Sequence, residues 1–286
     1  MWRWSLELLM KWVAFPTKGN YINSMNLTAE QIQSNWEEFL GYIDTYISSP
    51  RKEDLRKFYE DRVDRFILMP AAHTTKYHNC FPGGYVEHVN RVIKASLHFA
   101  KLWEKFGCDM STFTIEELVF SAINHDLGKV GDSTQDLYLP GRDEWRKKNL
   151  GEVYSYNNEV AFMTIPDRSL FLLQEAGIKY SLNEMLAIRT HDGLYEESNK
   201  AYLISRMPES KFRSAIAYIL HQADFMASVV ELTINPVEQP KSKQFAISKE
   251  TTQKNPTTHQ QAAKNKALSN IQSDGLKNAM TNFFND

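Results

Sequence analysis

The chain has 286 residues, 42% of them hydrophobic, with 33 Lys and Arg against 35 Asp and Glu and a formal net charge of −2. That supports one core of ordinary size with a small appendage. It argues against nucleic-acid binding over the whole surface, leaving only a local basic groove open. No apolar run approaches the roughly 20 residues a membrane span needs. The two cysteines, Cys80 and Cys108, form no CxxC pair, so they are read as reduced thiols of a cytoplasmic protein.

Residues 1–24 are an extension of open character. Trp2, Trp4, Leu8, Leu9, Trp12 and Phe15 are apolar, but Glu7 and Lys11 interrupt them and no small-residue cleavage site follows. Either this is an amphipathic helix or the natural start is Met25. The second reading is preferred, because Thr28 and Gln31 stand in capping-box spacing just beyond it. Residues 25–69 carry the N-terminal helices, at about 29–47 and 52–66. An irregular link, 69–84, holds Pro70, His73, His78, Pro82, Gly83 and Gly84.

A long helix follows, with Val86, Val89, Ile93, Leu97, Ala100 and Trp103 at three- and four-residue steps. The next opens on the Thr114–Glu117 capping box and carries Leu118, Val119, Ala122 and Ile123. Residues 127–160 are polar and read as a long connection, functional or mobile. Two helices near 167–176 and 182–191 follow, the latter capped by Ser181 and Glu184, and a last one covers about 211–232. No segment alternates with period two for long enough to argue a sheet, so the fold class is all-α. After Pro236, Gln, Asn, Thr, Ser and Lys replace the apolar residues, and 237–286 reads as a low-complexity, largely disordered tail. From Val237 onward it carries seven lysines against four acids, too slight an excess to argue more than a solvated tail.

Four residues are candidate ligands for a divalent cation: His88, His125, Asp126 and Asp224. His88 lies mid-helix among apolar neighbours. His125 and Asp126 end an otherwise apolar helix. Asp224 interrupts an apolar final helix, where an unpaired carboxylate is costly. Each alone reads more simply as a hydrogen-bonded core residue; their order and setting carry the argument. Imidazole and carboxylate together suit a first-row metal, but ligand type does not choose among Mn, Fe, Co, Ni, Zn and Mg.

That order resembles the HD superfamily of metal-dependent phosphohydrolases, whose signature is H…HD…D on a helical bundle. The string His78 to His88 is similar to the family's H-x-x-x-x-G-G-x-x-E-H element, also found in HD domains of OB-fold-linked exoribonucleases. His125-Asp126-Leu127-Gly128-Lys129 has the HDxGK form. His191-Asp192-Gly193 resembles the later H-x-G element, and Ala223-Asp224-Phe225-Met226-Ala227-Ser228 the closing A-D-x-x-A-S. The resemblance spans about 70–232 and implies an HD domain over 70–236. It also implies that His125-Asp126, not His191-Asp192, is the ligating pair; Asp192 is read as a turn residue beside Gly193. One departure stands out. Thr164 to Ser169 lacks the His that many relatives carry in a GHxxxS-like string. One tightly held metal is therefore expected, with His191 binding substrate or moving a proton.

The expected function is metal-dependent hydrolysis of a phosphate ester or anhydride, most naturally in a nucleotide. Asp126 would ligate the metal and orient the attacking water. Lys129 is either a clamp on phosphoryl charge or a solvated cap of its helix. His191 and His78 are candidates for the general acid. His78, Arg142 and Lys148 are candidate substrate-binding residues, with Lys147, Tyr138 and Trp145 in the same connection; an exposed loop face is the plainer reading there. His221 stands on Asp224's helical face as a site neighbour or a core residue, and His73 is a weaker candidate. The alternatives are a 3′→5′ nuclease on single strands and a non-catalytic, metal-stabilised binding scaffold.

Overall fold

The computed structural model describes residues 27–204, 207, 209 and 211–235. Residues 1–24 and 237–286, the extension and the tail expected from the sequence, lie outside them. The chain divides into two units, Met1–Pro240 and Lys241–Asp286, and the described residues all belong to the first. Among the described residues no helix is long and apolar enough to cross a membrane.

The helices are α1 (Ala29–Tyr46), α2 (Arg51–Glu60), α3 (Val63–Phe66), α4 (Gly84–Lys105), α5 (Ile115–Asn124), α6 (Glu144–Leu150), α7 (Ile165–Glu175), α8 (Leu182–Thr190), α9 (Lys200–Leu203) and α10 (Ile216–Ile234). The fold is all-α, with one small exception described below. Three helix starts follow directly from sequence. Thr28 with Gln31, Thr114 with Glu117 and Ser181 with Glu184 each form the reciprocal capping box, satisfying backbone donors that the first turn leaves free.

The core is built from apolar stripes. α1 buries Ile32, Trp36, Phe39, Leu40 and Ile43, and α10 buries Ile216, Ile219, Leu220, Ala223 and Ala227. Burying each large apolar side chain contributes about 1.5–3 kcal/mol, more than the roughly 1 kcal/mol of a typical hydrogen bond. The stripes therefore decide which helix faces turn inward. α4 packs on α5 and α10, α8 packs on α5 and α10, and α7 packs on the short 3₁₀ turn Leu127–Val130. α1 and α2 close the far side, where the buried Tyr59 hydroxyl donates to Asn124 Oδ1 at 2.9 Å.

Three sequence expectations are corrected. The single helix over 52–66 is broken, because Arg62 leaves helical geometry at φ −124° and ψ 20°; the break turns Phe66 back onto Tyr59, ring centroids 4.8 Å apart. The last helix begins at Ile216 rather than near 211, its first amide bonded to Ser214 Oγ, while Phe212 packs on Tyr202. The connection 127–160 is not structureless. It holds α6 and an antiparallel hairpin of β1 (Tyr138–Pro140) and β2 (Tyr154–Tyr156). Strands of three residues are too short for an alternating pattern to declare itself.

Candidate metal centre

His88 projects from α4, Asp224 from α10, and His125 and His191 stand immediately beyond the last residues of α5 and α8. Those two positions have a shared logic. The last carbonyls of a helix lack intrahelical partners. His125 Nδ1 lies 2.8 Å from the carbonyl of Ala122, and His191 Nδ1 lies 2.8 Å from that of Ile188. Each ring thus donates Nδ1–H to its own helix end and turns Nε2 inward. His88 is oriented differently, with Nδ1 3.0 Å from Glu231 Oε2.

The inward atoms converge. His88 Nε2 and His125 Nε2 are 3.4 Å apart. Asp126 Oδ2 lies 3.6 Å from the first and 3.5 Å from the second; Asp224 Oδ1 lies 3.2 Å and 3.8 Å from them. Ligands about 2.0–2.2 Å from a common tetrahedral centre stand about 3.3–3.6 Å from one another. The five spacings, 3.2 to 3.8 Å, lie close to that range; His88, His125 and Asp224 form one donor group able to hold a cation, and Asp126 groups beside them with His125 and His191. The other oxygen of Asp126, Oδ1, faces His191 Nε2 at 3.6 Å, so His191 reaches the same carboxylate from its opposite side. Asp192 lies on the turn before Gly193, its side chain partly exposed and 3.6 Å from His191 Nε2.

His78 completes the cluster. Its ring packs on His88 at a centroid distance of 4.3 Å, and its buried Nε2 has no hydrogen-bond partner. His78 groups with His88 and Asp126 as a further donor set. Burial, followed by the charges of His88 and Lys129, pushes the His78 pKa down to about 2. A ring held neutral in this way suits a ligand or hydrogen-bonding role better than that of a general acid at neutral pH.

Lys129 is no solvated cap. Its side chain is largely buried, and Nζ lies 2.6 Å from Asp126 Oδ2. Burial works against the charges of both groups. Even so, the pair holds Asp126 well below the usual carboxylate range and raises the Lys129 pKa. His88 and His191 are pushed up to about 10: burial opposes protonation, but Glu231 and Asp224 around the first, and Asp192 and Asp126 around the second, outweigh it.

The supporting residues arrive from distant segments. Ser169 Oγ donates to the His125 carbonyl at 3.1 Å and accepts from the Gly128 amide at 2.8 Å, while Arg168 donates to the Gly128 carbonyl. A Cβ on Gly128 would meet the Ile165 carbonyl oxygen at 2.2 Å, so the Gly of the HDxGK string is what lets α7 lie against this turn. His221 is a support, not a central group: its Nδ1 is 2.7 Å from the carbonyl of His191. Arg142 is exposed in the turn after β1, and Lys148 is exposed on α6. His73 lies apart from the imidazole cluster, among tyrosines.

The sequence reading missed Glu231. It is fully buried, accepts from His88 Nδ1, and is held by Arg91 Nη1 at 3.0 Å. Arg91 is in turn bonded to Glu87 of the opening motif. The available signal was an acid seven residues, about two turns, beyond Asp224 on an otherwise apolar face. A carboxylate behind a ligating imidazole fixes its tautomer and raises its basicity. Glu231→Gln is accordingly expected to weaken cobalt affinity about 10- to 100-fold with the fold intact, measured by competition with a chelator. Unchanged affinity would reduce Glu231 to a partner of Arg91.

No family model matches the chain, and no curated protein or solved structure matches it.

Proposed function

We propose that the chain is a metal-dependent phosphohydrolase whose substrate is a nucleotide. The observation that carries this reading is the convergence of His88, His125, Asp126 and Asp224 at ligand spacing, with a buried lysine on the same carboxylate. The resemblance of the four motifs to the HD superfamily supports it, since these same residues occupy its H…HD…D positions. A divalent cation held there supplies Lewis acidity toward a phosphoryl oxygen and makes water a nucleophile near neutral pH.

The chain's own residues would do the rest. Asp126 orients the incoming water through the oxygen not engaged by Lys129. The Lys129 ammonium, fixed in place before substrate arrives, balances negative charge that grows on the phosphoryl group. His191, protonated in the metal-free protein and facing Asp126 Oδ1, is positioned to deliver a proton to the leaving oxygen. The stacked helices α4, α5, α8 and α10 exclude bulk water from the buried side of the cluster.

The test is a screen of nucleotides and simple phosphate esters with Mn²⁺, Co²⁺, Ni²⁺, Zn²⁺ and Mg²⁺ after chelator treatment. Turnover that disappears with chelator and returns with one of these ions is the expected result; turnover indifferent to all of them would defeat the proposal. The pH dependence has a definite sign. His88 and His191 carry folded-state pKa values raised to about 10, so in the metal-free protein their stabilising contribution is full below about pH 6.5 and fades as pH rises toward 10. A cation held by His88 must displace that ring's proton, so its affinity is expected to tighten between pH 6 and 9.

A further inference from the structure

Outside the imidazole cluster and the apolar core, a group of four rings lies where the hairpin meets the loop before α4. Tyr138 and Tyr156 are directly opposite in the β1–β2 register, which places both side chains on one face of the ribbon. Their rings are 5.5 Å apart. His73 packs against both, at 4.6 Å from Tyr156 and 6.1 Å from Tyr138, and Tyr77 lies 6.2 Å from His73. Three separate stretches of chain therefore contribute four rings to one place. Backbone bonds fix the arrangement: the Tyr154 amide donates to the His73 carbonyl at 3.0 Å, and Thr74 bridges Glu152.

Two features distinguish this group from ordinary core packing. Tyr77 is 57% exposed and Tyr156 52% exposed, so substantial ring surface faces outward. The group is also joined to the metal centre. Tyr77 precedes His78, whose ring packs on His88. On the hairpin side, the Leu137 amide bonds to the Val130 carbonyl, so Tyr138 follows directly from the turn that carries Asp126 and Lys129. Burial, then the nearby Tyr156 and Asp126, raises the Tyr138 pKa. Burial lowers the His73 pKa, so this imidazole adds a neutral face instead of a charge.

We infer that Tyr77 and Tyr156, backed by His73 and Tyr138, form a stacking platform for the nucleobase of a nucleotide whose phosphate lies at the His–Asp cluster. The inference rests on the phosphohydrolase reading for the phosphate end, and on the rings alone for the base end. Stacking accepts any base because each has a π-face, so the platform would select nucleotides over sugar phosphates without choosing strongly among bases.

The experiment is saturation-transfer NMR on the full chain in Mg²⁺ buffer with adenosine, cytidine and ribose 5-phosphate. The two nucleosides have no phosphate to lose, so the readout is independent of turnover. Base protons of both nucleosides are expected to receive strong saturation from the protein, and ribose 5-phosphate, held through its phosphate alone, much weaker saturation at comparable concentration. Tyr156→Ala is expected to weaken nucleoside binding about 10- to 100-fold, with Tyr156→Phe restoring it; Tyr77→Ala, a second exposed position, should weaken it likewise. No base saturation, or affinity unchanged in both alanine variants, overturns the platform. Metal-dependent hydrolysis of ribose 5-phosphate by the same preparation would then show that the phosphohydrolase reading survives without it.

Discussion

Asp126→Asn is expected to remove the bound cation and lower turnover about 10³-fold while the chain stays folded. Asp126 joins two of the candidate ligands to Lys129 and His191. Its Oδ2 lies at ligand spacing from His88 and His125 and 2.6 Å from Lys129, and its Oδ1 faces His191. A cation's stabilisation of transition-state charge amounts to several kcal/mol, and about 4 kcal/mol corresponds to about 10³ in rate. Asn retains the shape but offers only one neutral acceptor oxygen. Asp126→Ala should behave worse, because it leaves the buried Lys129 ammonium unpaired; breaking a buried pair costs about 3–5 kcal/mol. Elemental analysis and thermal unfolding of both variants separate the two effects. Equal metal content in Asp126→Asn and the parent would exclude Asp126 as a ligand and undo the centre as described.

Much of this architecture was legible in the sequence because it depends on local rules. Thr28, Thr114 and Ser181 announce their helices through residues three positions on, and a capping box needs nothing else. His88 and Asp224 stood out because a polar group in an apolar stripe requires a partner. What was illegible depends on contacts between distant segments. Nothing near Ser169 says that its hydroxyl will hold the His125 carbonyl, and nothing near His221 says that it will hold the carbonyl of His191. Glu231 lies between these cases. Its position two turns after Asp224 marks the face it occupies, but the partner that makes it informative is 143 residues away in sequence. The hairpin escaped for a different reason. Its three-residue strands are defined by their pairing and by docking against the His73 loop, not by any periodicity of their own.

Lys129 was left between two readings by its sequence, phosphoryl clamp or helix cap, and its burial against Asp126 sharpens the choice into a measurable one. In the clamp reading the ammonium is preorganised and its removal costs about 10²–10³ in rate. Lys129→Met, which keeps the length of the side chain, is expected to retain the cation and lose turnover by that factor. The cation would then carry the neutralisation of Asp126 that Lys129 shares. A variant that loses metal and rate together would instead make Lys129 a support for the ligand. His191→Ala is the companion measurement. His191 was kept out of the ligand set because the chain lacks the extra His of the GHxxxS-like string, yet its Nε2 stands 3.6 Å from Asp126 Oδ1, close to the spacings of the four candidate ligands. On the single-cation reading, His191→Ala retains one cation per chain and turns over about 10²–10³-fold more slowly, through loss of a proton donor. If metal content begins near two per chain and falls to one in the variant, Asp126 bridges two cations and His191 belongs to the second. Metal stoichiometry and rate, measured on the same samples, decide between a group that handles protons and a group that binds metal.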